Sequence, residues 1–213
     1  GHGALARLAR TRAQGKLPTG VRAGDVFVDI ETLGELREDM PQFIFMIGVG
    51  FRGADGADAF VCVRATEVSV AEERRVVERF AQLLGELRAV RALHWGSFEV
   101  SAFRKADARY GTRILDAVKW VDMCGALEES GYCPPGAFSY SLKQVVPALH
   151  ARGLIATTWD SECTDGGTAM FNAHRAYGSG DMHMIDDIES YNRVDVVSTM
   201  EIWRYLRTIG ICI

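Results

Sequence analysis

Residues Phe27-Val28-Asp29-Ile30-Glu31-Thr32-Leu33 constrain the fold of this chain more than any other segment. An apolar lead-in, Val26-Phe27-Val28, runs into an acid, one more apolar residue and a second acid. Alternate side chains of a strand share a face, so Asp29 and Glu31 point the same way, with Cα atoms roughly 6–7 Å apart. Two carboxylates on one face of an apolar strand are costly unless something neutralises them. Hard oxygen ligands suit Mg2+ or Mn2+, and a pair of such ions is a common device for phosphodiester cleavage. The competing reading ends the strand at Asp29 and leaves Glu31 in a solvated loop.

A chain of 213 residues, 48% hydrophobic and 24% charged, is enough for one domain with a full core and some insertions. The net charge of −4 argues against bulk electrostatic capture of nucleic acid but leaves room for a local basic groove. No run reaches the length of a membrane span and no signal peptide is visible, so the expectation is an intracellular, by default cytoplasmic, protein without a membrane partner. The five cysteines include no Cys-x-x-Cys pair, which argues against a disulfide framework or structural zinc. His174 and His183 make a weak metal pair beside the commoner surface or packing roles. Gly1-His2-Gly3 reads as a cloning remnant, and hence the chain as a domain excised from a longer protein. Residues 1–24 read as an arm or linker, whose Arg7, Arg10, Arg12 and Lys16 either touch phosphate or are solvated, and residues 25–213 as the domain.

Asp25–Ile30, Phe43–Val49 and Ala59–Val63 read as three strands joined by turns, an antiparallel meander, with Gly48 and Gly50 punctuating the end of the second. Ser69-x-x-Glu72 is a capping box that opens a helix with Val76, Val77, Phe80, Leu83, Leu84 and Leu87 on its apolar face. Val90–His94 is a fourth strand, Ser97 caps a helix ending near Tyr110, and Val118–Val121 is a fifth strand ending at Asp122. Ser141–His150 starts a helix that Pro147 interrupts, residues 153–167 are irregular, and a short helix covers about 168–177. The last helix runs from about Asp186 to Thr208, with Asp186 and Glu189 at its start reading as a cap. The pattern predicts a mixed α/β sheet flanked by helices.

Tyr191 and Asp195 on the last helix stand four residues apart and share a face that is otherwise apolar. A tyrosine hydroxyl there can orient a water beside the acid. The alternative is a buried tyrosine with Asp195 paired to an arginine. His94-Trp95-Gly96-Ser97-Phe98-Glu99 places Glu99 in the first turn of a helix, where the dipole favours a carboxylate in any protein.

The order of these pieces resembles the DEDD 3′-5′ exonucleases of the ribonuclease H-like superfamily, in their tyrosine-containing branch. Asp29 and Glu31 match the first motif, and Tyr191 and Asp195 the last. Ser190 stands where the histidine branch would carry its histidine. The middle motif departs, with Glu99 in place of the usual Asp. That context, together with Trp120-Val121-Asp122-Met123, Ser141-Leu142-Lys143, Gly167-Thr168-Ala169-Met170 and Tyr191-Asn192-Arg193-Val194-Asp195, is similar to the YprB-like and RecB-associated ribonuclease H-like nuclease domains.

The resemblance implies a ribonuclease H-like fold and two Mg2+ or Mn2+ ions held by Asp29, Glu31, Glu99 and Asp195. Tyr191 would position the attacking water, with DNA or RNA cut from a single-stranded 3′ end. Thr32 and Leu33 would touch the terminal nucleotide. Trp95 would stack on a base or pack in the core, and Lys143 and Arg193 would reach phosphate or lie on solvated surface. Asp122 stands behind the site or is structural. The implied partners are nucleic acid and other domains of a longer polypeptide, such as a helicase or a RecB-like nuclease, with a DNA-repair role. Competing readings are a structure-specific endonuclease on the same site and a catalytically weak nucleic-acid-binding or docking module, which the Glu99 replacement favours.

Overall fold

The computed structural model describes residues 24–34, 42–53, 55–159 and 166–211. Arg7, Arg10, Arg12 and Lys16 of the N-terminal arm, Cys163 and Cys212 lie outside them. Five strands, β1 (Asp25–Leu33), β2 (Phe43–Arg52), β3 (Asp58–Arg64), β4 (Arg91–His94) and β5 (Lys119–Asp122), form one sheet in the order β3-β2-β1-β4-β5. β3, β2 and β1 pair antiparallel, whereas β4 and β5 extend the sheet from β1 in parallel. The meander-plus-parallel expectation is met; the three meander strands run further than the sequence boundaries, β4 starts one residue later and β5 is shifted by one. β1 continues through Glu31 to Leu33, so Glu31 is buried in the sheet rather than solvated in a loop.

The helices are α1 (Val70–Glu86), α2 (Phe98–Tyr110), α3 (Ile114–Ala117), α4 (Met123–Glu129), α5 (Leu142–His150), α6 (Gly166–Ser179) and α7 (His183–Thr208). Ser69 caps α1 by accepting from the Glu72 amide at 3.2 Å, but the Glu72 carboxylate turns to Thr66 and Arg75 instead of closing the reciprocal box. Ser97 precedes α2 in a helical conformation and makes no side-chain cap. Pro147 lies inside α5 without ending it: only one carbonyl, four residues back, loses its helical donor, and the chain stays helical to His150.

Alternation along β1 divides the core. Val26, Val28 and Ile30 enter one apolar cluster with Val76, Phe80 and Phe103, while Phe27 enters a second with Leu93, Val145, Val196 and Met200. Phe27, Asp29 and Glu31 share the strand face that looks toward α7.

α7 is held in register on the meander at both ends. Arg64, ending β3, bonds Asp186 at 2.7 Å and Glu189 at 3.1 Å, and Asp58, beginning β3, accepts from Arg204 at 2.6 Å. Asp186 and Glu189 are thus ion-pair partners of Arg64, not a cap of their own helix. Gly48 and Gly50 do not end β2; they lie within it, opposite Asp29 and Phe27. A Cβ on Gly50 would stand 2.5 Å from Val196 Cγ1 and 2.6 Å from Met200 Sδ. The missing side chains let α7 approach the sheet closely. Gly50→Ala is expected to cost roughly 1–3 kcal/mol in chemical denaturation through overpacking. A loss within experimental error would show that α7 can shift freely.

Candidate active site

The carboxylates arrive from three elements. Asp29 and Glu31 come from β1, Glu99 from the first turn of α2 just beyond β4, and Asp195 from the middle of α7. β1 and β4 are parallel neighbours, so their carboxyl ends lie side by side, the position where α/β sheets place their sites. Past Glu31 the β1–β2 register slips: Glu31 pairs with Met46, but Thr32 pairs with Ile44. Such a bulge re-aims side chains at the strand end.

Three of these acids are buried, Asp29 is half-buried, and they feel one another. Glu31, Glu99 and Asp195 are 6%, 4% and 7% exposed. Burial raises Asp29 well above the usual carboxylate range, and the charges of Asp195, Glu31 and Glu99 push the same way. Glu31 is raised by burial and then by Asp195. Glu99 is raised by burial, against a His94 Nδ1 contact at 3.3 Å that favours its charged form. Asp195 is raised to about 6 by burial, partly offset by Lys143, Trp159 and Tyr191. Four acids that disfavour one another's charge are a site short of cations.

The near partners are specific. Trp159 Nε1 donates to Asp195 Oδ1 at 2.7 Å. Lys143 Nζ stands 3.9 Å from the same oxygen, 3.7 Å from the centre of the Trp159 ring and 4.2 Å from that of Tyr191. Asp195 is therefore held by an indole and an ammonium rather than an arginine, and Lys143 lies in the site rather than on open surface. Tyr191 stands beside Asp195 and favours its charged form, and burial first, then the surrounding acids, push its own phenol above its ordinary value. It stays a neutral donor. Arg193 turns away, over the Phe60 ring at 4.5 Å.

Other expected contacts are placed differently. Leu33 is fully buried in the larger core cluster, so it packs the sheet and does not present itself to a ligand. Thr32 is half-buried beside the bulge. Trp95 is half-buried, with its indole N–H donating to the Tyr140 carbonyl at 2.9 Å. Asp122 proves structural: it accepts from the Gly96, Cys124 and Gly125 amides at 2.8, 2.9 and 3.1 Å, fixing the turn that leads to Glu99. Cys62, Cys124 and Cys133 are free.

Three participants carry no clear signal in the sequence. Trp159 stands in an irregular segment with no flanking pattern. Asn192 lay inside the quoted motif without a role, although it stands three residues before Asp195 and so shares its side of α7. His94 likewise lay in the quoted motif before Glu99 without a role.

A family model described as the RNase H superfamily matches residues 26–207. The chain belongs to that superfamily, and its mixed five-strand sheet with flanking helices is the corresponding α/β architecture. Membership points to a nuclease-type hydrolase acting on nucleic acid. A comparison with curated proteins finds no match. No helix among the described residues is long and apolar enough to cross a membrane.

Nucleases of this superfamily typically use divalent metals. The donor set fits hard cations: carboxylate oxygens only, each raised by burial and most of them by one another's charge. Among the described residues no three His, Cys, Asp or Glu side chains converge tightly enough to hold an ion as they stand. The acids share one field without yet sharing a ligation sphere.

Proposed function

We propose that the chain is a metal-dependent 3′-5′ exonuclease that releases nucleoside 5′-monophosphates from DNA or RNA. The observation that carries this reading is the convergence of Asp29, Glu31, Glu99 and Asp195 on one field, with Tyr191 beside Asp195. Two Mg2+ or Mn2+ ions bound by these acids would activate a water and stabilise the leaving 3′ oxygen. The residues of the chain then have separable roles. Tyr191, a neutral donor at the rim of the acids, orients the water by its hydroxyl. Lys143 brings a positive charge to where a phosphate must lie. Trp159 keeps Asp195 turned inward. Trp95, its N–H engaged and its ring packed in part on the smaller core cluster, offers a base only its remaining exposed face. Thr32 borders the terminal nucleotide.

The test is cleavage of 5′-labelled single-stranded DNA and RNA with Mg2+ and with Mn2+. A ladder shortening from the 3′ end is expected, and a blocked 3′ end should stall it. Internal cuts in blocked substrates would instead assign an endonuclease to the same acids. Binding without cleavage would favour a docking module of a larger replication or repair protein. The acids supporting that alternative are the same, with Glu99 longer by one methylene than the usual aspartate.

A further inference from the structure

Asn192 is 0% exposed and lies on α7 between Tyr191 and Asp195. Its amide nitrogen donates to Asp29 Oδ2 at 2.6 Å, and the same side chain favours the charged form of Glu31, two residues along the strand. Its Oδ1 has no hydrogen-bond partner among the described residues. That oxygen lodges against Gly48, where a Cβ would stand 1.8 Å away. Gly48 is the residue paired with Asp29 across the β1–β2 ladder.

We infer that Asn192 is a positioning residue that holds both acids of β1 from the last helix, with Gly48 as the slot that admits it. The inference rests on the metal-dependent reading above. A primary amide offers two N–H donors and no charge, and ionised carboxylates only accept. The amide orientation follows, because turning its oxygen toward the acids would set acceptor against acceptor. The same orientation explains the orphaned Oδ1: an unmade bond at one end is tolerated so that the nitrogen end serves two acids. A lysine or arginine here would also hold the acids, but its charge would cancel the field that attracts a cation. The amide restrains Asp29 and Glu31 while leaving their negative charge in place. It also ties the first motif to the last across 163 residues of chain.

The experiment is a calorimetric titration of the full chain with Mn2+ alone, beside steady-state cleavage of a labelled oligonucleotide. Asn192→Leu keeps the branched shape and removes both donors. It is expected to bind Mn2+ roughly 10–100-fold more weakly, the usual effect of losing a group that orients a ligand. kcat measured at low Mn2+ should fall in parallel and return toward the wild-type value when Mn2+ is raised, a rescue that a general loss of structure would not give. Gly48→Ala presses on the amide oxygen without touching any acid, and its Mn2+ affinity should fall in the same direction. Should Asn192→Leu fail to fold, an unchanged affinity in Gly48→Ala overturns the inference. Equal affinities in folded Asn192→Leu and wild type overturn it alone. A wild type that binds no Mn2+ overturns the metal-dependent reading and this inference together.

Discussion

Asp29→Ala is expected to abolish cleavage, lowering kcat by at least about a thousandfold, since metal-derived stabilisation of the transition state amounts to several kcal/mol. Asp29 faces Asp195, Glu31 and Glu99, and it receives the Asn192 amide. No other side chain can take its place, because the strand fixes it on the β1 face opposite Gly48. The fold should survive. Removing one of four mutually repelling buried acids relieves the metal-free protein, offsetting the lost bond from Asn192. The variant should therefore melt at or above the wild-type temperature in chelator. Asp29→Asn, which keeps the shape, should be equally inactive. A folded Asp29→Ala protein with wild-type activity would place the chemistry elsewhere.

Stability of the metal-free protein should fall as pH rises. Asp195 is raised from 3.8 to about 6, and Asp29, Glu31 and Glu99 are raised as well. An acid raised in the folded state keeps its proton where the unfolded chain has already lost it. Between about pH 4 and 6 the folded state binds more protons, so the free energy of unfolding declines with increasing pH. The stabilising contribution is complete below the unfolded pKa and is lost as pH climbs through the folded one. For Asp195 alone the loss is on the order of 3 kcal/mol. In a domain of this size that corresponds to roughly 6–12 °C in melting temperature. The measurement is a series of melts from pH 4 to 8 in chelator, with Asp195→Asn as the reference that removes this group. The wild-type minus variant difference should narrow or change sign toward pH 8. Saturating Mg2+ or Mn2+ should restore the lost stability by binding the folded state. A wild-type profile parallel to that of Asp195→Asn would rule out a raised Asp195.

Local relations follow from neighbouring residues: Asp29 and Glu31 on one strand face, Tyr191 and Asp195 on one helix face, Glu99 at a strand-to-helix turn, and the mixed α/β order. Strand and helix periodicities act over a few residues, so they are written in consecutive letters. What surrounds those acids comes from contacts between distant parts of the chain. Trp159 on Asp195 and Asn192 on Asp29 join residues 36 and 163 positions apart, and no local pattern marks either bond. Leu33 belonged to the first motif in the sequence, yet the continuation of β1 turned it into the core. Gly48 and Gly50 read as the end of a strand because glycine commonly breaks one. In the folded chain they are empty places inside β2, kept empty so that the last helix can lie against it and bring Asn192 within reach of Asp29.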